Sequence, residues 1–379
     1  MDEQAITDLT TLNEAGDWLE RGMMARICAA VRFPAEVTGA LSEAAERIGS
    51  DAESAGAARR FRHALFLERG QAPETANREL LAFGADGAAL AAVVYAGAIP
   101  LLGASYRRLG LPAGVLVDTV QDVALWMEVH RKRHGRWGLS ELDWLHQHLS
   151  GELFRLGRLQ FHYIANPLEA KAFRHGKTGE VAVLSEAGIR YRADGQLDGT
   201  CGVHDPEGAW ESAYSFDGRH HEGHPISEAG AAGRLPIRLD ADEWELALEK
   251  GDPVLNVHVP EGDRLSPEAC RDSYANALRF TAAHYPDKPF RAFVCQSWLL
   301  APQFRELLPA SSNIVRFQRD YRLLPNSSDE SQTLERVFGY GTRLAVVPAA
   351  QAHTSLQRIV RDHLAGGGRI HNGGGFRLV

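Results

Sequence analysis

Four cysteines in 379 residues, Cys28, Cys201, Cys270 and Cys295, are too few and too scattered for a disulfide framework. None forms a C-x-x-C pair, so no zinc-binding spacing is present either. The chain also lacks a run of about 18 apolar residues, which excludes an obvious membrane span. Its first residues, MDEQAITDLT, are acidic and polar where a secretory leader is basic and then apolar. Excess positive charge is missing as well. The net charge is −8 and no Lys/Arg-rich stretch supplies the basic face that nucleic acid or an anionic membrane surface requires. These absences lead us to expect a cytoplasmic protein with reduced thiols, no nucleic-acid partner and no membrane partner.

What is present is a globular composition, 44% apolar and 24% charged, in a chain long enough for two domains. From Asp17 to about Ser150 the pattern is helical, Ala- and Leu-rich, and punctuated by Pro34, Pro73, Pro100 and Pro112. The clearest segment is Asp118 to Arg133. There Val120, Val123, Ala124 and Met127 follow the i, i+3, i+4, i+7 spacing of one helix face, with Asp118 as the expected N-cap and Gly135 as the stop. The basic run Arg131-Lys132-Arg133-His134 suits the end of that helix, where the dipole favours cations.

Beyond Ser150 the periodicity changes. Arg158 to Tyr163 alternates polar and apolar residues, the mark of a half-buried strand. Glu180 to Arg192 reads as one or two short strands, and Gly199 to Gly233, rich in Gly, His and Asp, as a loop or hairpin. Val254 to Val259 is a predicted strand, and Ser266-Pro267-Glu268 then supplies an N-cap, a first-turn proline and an acid for a helix reaching about His284. Phe290 to Leu299 and Asn313 to Leu323 are predicted strands, with Pro302 opening a short helix between them. Thr354-Ser355-Leu356-Gln357 forms a capping box for a last helix that stops at Gly366-Gly367-Gly368, and Gly375 to Val379 closes the chain as a strand. The expectation is a helical N-terminal domain over residues 1–150 followed by a mixed α/β (α+β) domain over 151–379.

Four separated segments carry a resemblance. Leu153-Phe154-Arg155-Leu156-Gly157-Arg158-Leu159-Gln160-Phe161, Asn256-Val257-His258-Val259-Pro260-Glu261, Cys295-Gln296-Ser297-Trp298-Leu299-Leu300 and Ser312-Asn313-Ile314-Val315-Arg316-Phe317 resemble a family of bacterial acyltransferases. Those proteins pair a helical N-acyltransferase N-terminal domain with a GNAT-like C-terminal domain. The resemblance implies a mixed sheet in which two neighbouring parallel strands splay, an acyl thioester entering the notch, and attack by an acceptor amine. It implies no tightly bound cofactor. The co-substrate would be acyl-CoA or an acyl-carrier thioester, and the partner a small-molecule or peptide amine, with an acyl-carrier protein as alternative donor. One departure stands out. GNAT enzymes cradle the CoA pyrophosphate with a Gln/Arg-x-x-Gly-x-Gly/Ala loop, whereas the matching loop here, Glu261-Gly262-Asp263-Arg264-Leu265-Ser266, has one glycine and two acids.

On the implied strands, Val254 to Val259 and Phe290 to Leu299, the candidate chemistry can be placed. Period-2 alternation sets Asn256 and His258 opposite Leu255, Val257 and Val259. His258 titrates in the range of a general base, or is a histidine satisfied within a packed sheet. Glu261 is an alternative base or a plain surface carboxylate. Cys295 is either an acyl-accepting nucleophile or a buried inert thiol, and Ser297, on the same face, is a candidate to protonate the leaving thiolate. Val259, Gly262, Asp263, Arg264 and Ser266 are expected to contact the donor. Asn256, Arg316 and Gln318 are expected on the substrate side, Arg316 as a partner for carboxylate or phosphate or as half of a structural ion pair. The segment Arg219-His220-His221-Glu222-Gly223-His224 lacks the i, i+4 histidine spacing of a helical zinc site, and no metal is expected. A non-catalytic ligand sensor and a Cys295-dependent thioester hydrolase are the rival readings.

Overall fold

The structure, a computed structural model, describes residues 2–68 and 72–379. Two compact units emerge. The first comprises Met1–His162, Val259–Glu261 and Ser273–Pro286, and the second Tyr163–His258, Gly262–Asp272 and Asp287–Val379.

The described part of the first unit opens with α1 (Asp2–Ala15), α2 (Arg21–Ala30), α3 (Ala35–Ser50) and α4 (Ala52–Phe66). Then come α5 (Pro73–Leu81), α6 (Gly87–Leu109), α7 (Ala113–His134) and α8 (Leu142–Leu149). Helix α6 is the axis of this unit. The reading that no apolar run reaches about 18 residues is corrected here: residues 87–104 form one, and among the described residues α6 is the one helix long and apolar enough to cross a membrane, with 83% of its most apolar stretch buried. Its small residues allow close packing: a Cβ at Gly97 would lie 2.2 Å from the Trp18 ring, and one at Gly103 2.8 Å from Leu9 Cβ. The Val120, Val123, Ala124, Met127 face of α7 is buried as the spacing predicts, and Gly135 ends the helix in the left-handed region at φ 70°. The start differs from expectation. Pro112 is the N-cap and Ala113 the first helical residue, so Asp118 lies inside the helix. The proline already holds its φ near the helical value at −65°, which makes it a sufficient start without a side-chain cap.

A buried polar network ties this unit internally. Asp122 on α7 accepts from Gln160 Nε2 at 2.9 Å and from Trp144 Nε1 at 3.3 Å, and lies 3.1 Å from His148 Nε2. Burial alone would raise the Asp122 carboxyl, but the bonds from His148, Gln160 and Trp144 outweigh it and hold the group below its usual range.

Strands β1 (Leu153–Leu156) and β2 (Leu159–Ala165) form an antiparallel hairpin turned at Gly157, φ 84°. In the second unit β3 (Ala170–His175), β4 (Val181–Ser185), the two-residue strands β5 (Arg190–Tyr191) and β6 (Trp210–Glu211), β7 (Tyr214–Phe216), β8 (His220–Gly223), β9 (Ile237–Asp240) and β10 (Trp244–Leu248) make three small antiparallel sheets. Of the loop or hairpin expected over Gly199 to Gly233, the hairpin holds at Arg219 to His224, which is largely strand β8 paired antiparallel with β7 and β9. There His221 Nδ1 lies 2.8 Å from the Tyr214 hydroxyl, and among the described residues no cluster fit to hold a metal occurs.

The main sheet of this unit is built from β11 (Pro253–His258), β12 (Ala292–Ser297), β13 (Arg322–Leu324) and β14 (Gly373–Leu378), ordered β11-β12-β14-β13. Strands β11 and β12 run parallel; the other neighbours are antiparallel. Helix α9 (Pro267–His284) connects β11 to β12, and α10 (Phe304–Leu307), α11 (Asn313–Gln318), α12 (Ser331–Phe338) and α13 (Ser355–Ala365) fill the rest. One face of the sheet packs Val254, Val294, Leu324 and Phe376 against Ala170, Ala172, Val183 and Leu248. A second core gathers Phe304, Val315, Leu334, Val347, Val360 and Ile370 beneath the short helices. The capping box at Thr354 and Gln357 is present with both of its reciprocal bonds.

Two expectations need correction. The segment Asn313 to Leu323 is not one strand: Ser312 Oγ accepts from Val315 N at 3.3 Å and caps helix α11, and only Arg322–Leu324 is extended. Over so short a run the alternation of Val315 and Phe317 fits a helix face as well as a strand face. The predicted strand Phe290 to Leu299 is cut at both ends, because Trp298–Leu300 turns into a 3-10 helix capped by Ser297.

Candidate active site

Strand β11 owes its two faces to alternation. Leu255 and Val257 are buried, while Asn256 and His258 are half-buried on the other side. The Asn256 amide nitrogen lies 3.1 Å from His258 Nε2, so the amide two residues upstream orients the imidazole.

The joint between β11 and β12 decides what this face can do. Its register pairs Leu255 with Phe293 and Asn256 with Val294, and no pair follows among the described residues. Both strands continue, β11 to His258 and β12 to Ser297. The register of the two parallel strands thus ends at Asn256 and Val294, short of the ends of both strands.

On β12, Ser297 Oγ accepts from Leu299 N at 3.2 Å, a bond that leaves its own O–H hydrogen for donation. Cys295 is another matter. It is 1% exposed, and burial pushes its thiol up to about 12. A thiol protonated across the physiological range is no nucleophile, so the acyl-accepting role considered for Cys295 is withdrawn, and with it the Cys-dependent hydrolase. Trp298, the first residue of the 3-10 turn, packs against the second core.

After β11 the chain enters the first unit for Val259–Glu261 and returns with Gly262. Glu261, Asp263 and Arg264 are exposed, and Gly262 adopts φ 128°, open to glycine and strained for other residues. Ser266 begins α9 as expected: its Oγ accepts from Ala269 N at 3.2 Å and its carbonyl from Cys270 N at 3.1 Å. The N-terminus of an 18-residue helix thus follows β11, with Glu268 in its first turn.

Arg316 and Gln318 do not line a strand beside this joint. Both lie on α11, Arg316 exposed and Gln318 fully buried. Gln318 Nε2 donates to the carbonyls of Leu299 and Ala301, each at 2.8 Å. Its amide is spent on holding the turn that ends β12, so the substrate contact expected of it is corrected to a structural role, and the misreading follows from the strand assigned to that segment.

A parallel pair within a mixed sheet, followed by a helix N-terminus, agrees with a GNAT-like acyltransferase fold. The chain belongs to the family of the GNAT-like C-terminal domain, which it matches over residues 153–377, and residues 23–151 match the N-acyltransferase N-terminal domain. It is accordingly an enzyme of the N-acyltransferase class. A solved acyltransferase in complex with decanoyl-CoA and teicoplanin is similar at a TM-score of 0.61 and 22% identity, over 93% of this chain and 86% of that one. An acyltransferase in complex with CoA and 10C-Teicoplanin gives the same values. At that identity the likeness is one of fold. Comparison with curated proteins gives no match.

Proposed function

We propose that the chain moves an acyl group from acyl-CoA to the amine of a small molecule or peptide, with residues 1–150 as its helical domain and 151–379 as the domain that carries the chemistry. The observation that carries this reading is the end of the β11–β12 register at Asn256 and Val294, with His258 two residues further along β11. The donor is read as acyl-CoA because fold relatives bind decanoyl-CoA and CoA; an acyl-carrier thioester is the alternative.

His258 Nε2, giving up the hydrogen bond it accepts from the Asn256 amide, takes the proton from the attacking amine as the N–C bond forms. Backbone N–H groups at Val257 and Val259 stabilise the tetrahedral oxyanion. As the C–S bond breaks, the departing thiolate takes a proton through the Ser297 hydroxyl, which draws a replacement from water while His258 returns the amine's proton to water. Asn256 orients the imidazole. The loop Gly262 to Ser266 and the N-terminus of α9 hold the donor, although the single glycine and the acids Asp263 and Glu268 give this loop less attraction for a pyrophosphate than a glycine-rich one. Glu261, exposed, remains a candidate partner for the donor loop, and Arg316 a surface cation.

The test is to incubate the protein with acetyl- to decanoyl-CoA and a panel of primary amines, following thiol release and the mass of the N-acyl product. Thiol release that requires the amine, with an N-acyl product, supports the reading. Release only from a carrier-protein thioester would change the donor. Flat traces with both donors, alongside ligand binding, would make the chain a sensor.

A further inference from the structure

The second unit holds a cavity of about 490 Å³, the size of a small-ligand pocket. Four arginines line it, Arg305, Arg319, Arg322 and Arg377, together with two carboxylates, Glu228 and Asp320. The lining therefore carries two positive charges in excess, within a chain whose net charge is −8.

Topology draws these groups together. Arg305 stands on α10, Arg319 and Asp320 follow α11, Arg322 opens β13 and Arg377 lies on β14. Arg322 is paired with Phe376, the neighbour of Arg377. A parallel bridge between Ala229 and Leu323 sets Glu228 beside the start of β13. Two arginines then meet on that residue: Arg305 Nη1 donates to the Glu228 carbonyl at 3.1 Å, and Arg322 Nη1 lies 3.0 Å from its carboxylate.

The charges are matched unequally. Arg322 has the Glu228 carboxylate, whereas Arg377 lies 3.8 Å from Asp320, too far for a hydrogen bond. Arg305 donates to the carbonyls of Glu228 and Gln318, which hold its fork and leave its charge. Arg319 is exposed, and among the described residues its side chain makes no hydrogen bond or ion pair. Burial lowers the Arg305 guanidinium below its ordinary value; Glu228 opposes that fall, and Arg319, a like charge close by, adds to it.

An anion among these groups relieves their repulsion. Guanidinium forks match phosphate oxygens in pairs, and a phosphate monoester carries about −1.5 to −2 charges at pH 7, close to the excess on the lining. Val181 and Leu378, both half-buried, line the same cavity and suit the carbon side of such an ester. This place is not the donor end of the sheet. Arg377 pairs with Phe293, four residues before Ser297 and roughly 13 Å from it along β12.

We propose that this cavity binds a phosphate monoester, with Arg319 supplying the unspent fork, Arg305 and Arg322 the surrounding charge, and Val181 and Leu378 the apolar wall. The site stands on its own charges and does not rest on the acyl-transfer reading.

Titration calorimetry of the full chain with phenyl phosphate tests the site without catalysis, and benzoate serves as a monoanion on the same ring. Phenyl phosphate is expected to bind, and benzoate about tenfold more weakly because it carries about half the charge. Arg319→Gln should weaken phenyl phosphate about tenfold, the value of one charge-assisted hydrogen bond. Glu228→Gln should strengthen it about threefold, because it removes the carboxylate that competes for Arg322. Arg319 has no side-chain partner to lose and the Glu228 side chain is 75% exposed, so both variants should keep the parent's melting temperature. Opposite shifts from these two substitutions are what a site that reads charge produces and a merely structural cluster does not. No binding of phenyl phosphate, equal binding of benzoate, or an affinity that neither substitution moves overturns the proposal.

Discussion

Strand β12 has two flanks, and they are treated in opposite ways. Toward β14 it forms six consecutive pairs, from Ala292 with Leu378 to Ser297 with Gly373. Toward β11 it forms two and stops. The longer ladder falls on the glycine-rich β14 and the shorter on β11, so strand propensity does not account for the difference. The closed flank fixes β12 in place, and the open flank can then forgo its ladder without losing the strand. A register that ends inside a sheet leaves backbone groups to find other partners. Its end two residues before His258 is what the proposed chemistry rests on.

The largest expected effect comes from the open flank. His258→Ala should lower kcat by about 10²–10⁴-fold, the range lost with a general base, while the melting temperature stays nearly constant. Stopped assays of thiol release check the rate and calorimetry checks the fold. A variant that keeps its rate would mean that the open flank works without its imidazole, and the contrast between the flanks would lose its functional side.

The closed flank should fail differently. A Cβ at Gly373 would sit 1.9 Å from the Leu300 carbonyl oxygen and 3.0 Å from Leu300 Cβ, and backbone at that distance must move. Gly373→Ala is expected to cost about 3 kcal/mol of stability, the upper part of the range for overpacking, measured by urea denaturation. Unchanged stability would show that this flank yields as readily as the open one, and the comparison would collapse.

How much of this could be read beforehand follows from the same contrast. The helix face Val120, Val123, Ala124, Met127, the Ser266 cap and the Thr354 capping box are local patterns, and local patterns survive folding. His258 was legible because alternation along β11 is local too, and because its segment resembles a known family. The ladder's end is not local: it depends on which residue of β12 stands opposite, and nothing in either strand marks Asn256 and Val294 as the last pair. Segment Asn313 to Leu323 was misread because Val315 and Phe317 alternate while the deciding bond, Ser312 Oγ with Val315 N, is one cap. The cavity walls at Glu228, Arg305, Arg322 and Arg377 come together only through tertiary contacts.

Gln318 links the two flanks, since its amide ties the turn that follows β12. Gln318→Ala removes bonds to both the Leu299 and Ala301 carbonyls and should cost about 2 kcal/mol, within the range for leaving buried acceptors unmet. If Gln318 instead contacted substrate, KM would rise while the unfolding midpoint held still. The structure places the effect on the midpoint, with KM changed little.

The smallest effect is the most pointed one, because Cys295 lies on β12 between the flanks and belongs to neither. Cys295→Ala should leave kcat and KM for acyl transfer unchanged, since a thiol pushed up to about 12 by burial supplies no thiolate near neutral pH. Its trace should appear in stability instead. Burial pushes the folded thiol up to about 12, against 9.0 for an exposed one, so below pH 9 both states keep the proton and this group's contribution is fully present. Above 9 the unfolded chain releases its proton while the folded chain retains it, so stability falls as pH rises toward 12, by about 1.4 kcal/mol per pH unit. Denaturation midpoints between pH 9 and 11 should therefore fall less steeply in Cys295→Ala than in the parent, once the loss of about 1 kcal/mol from the removed sulfur at neutral pH is subtracted. Identical slopes would mean that the thiol is less enclosed than the closed flank implies, and a lost rate would restore Cys295 to the chemistry.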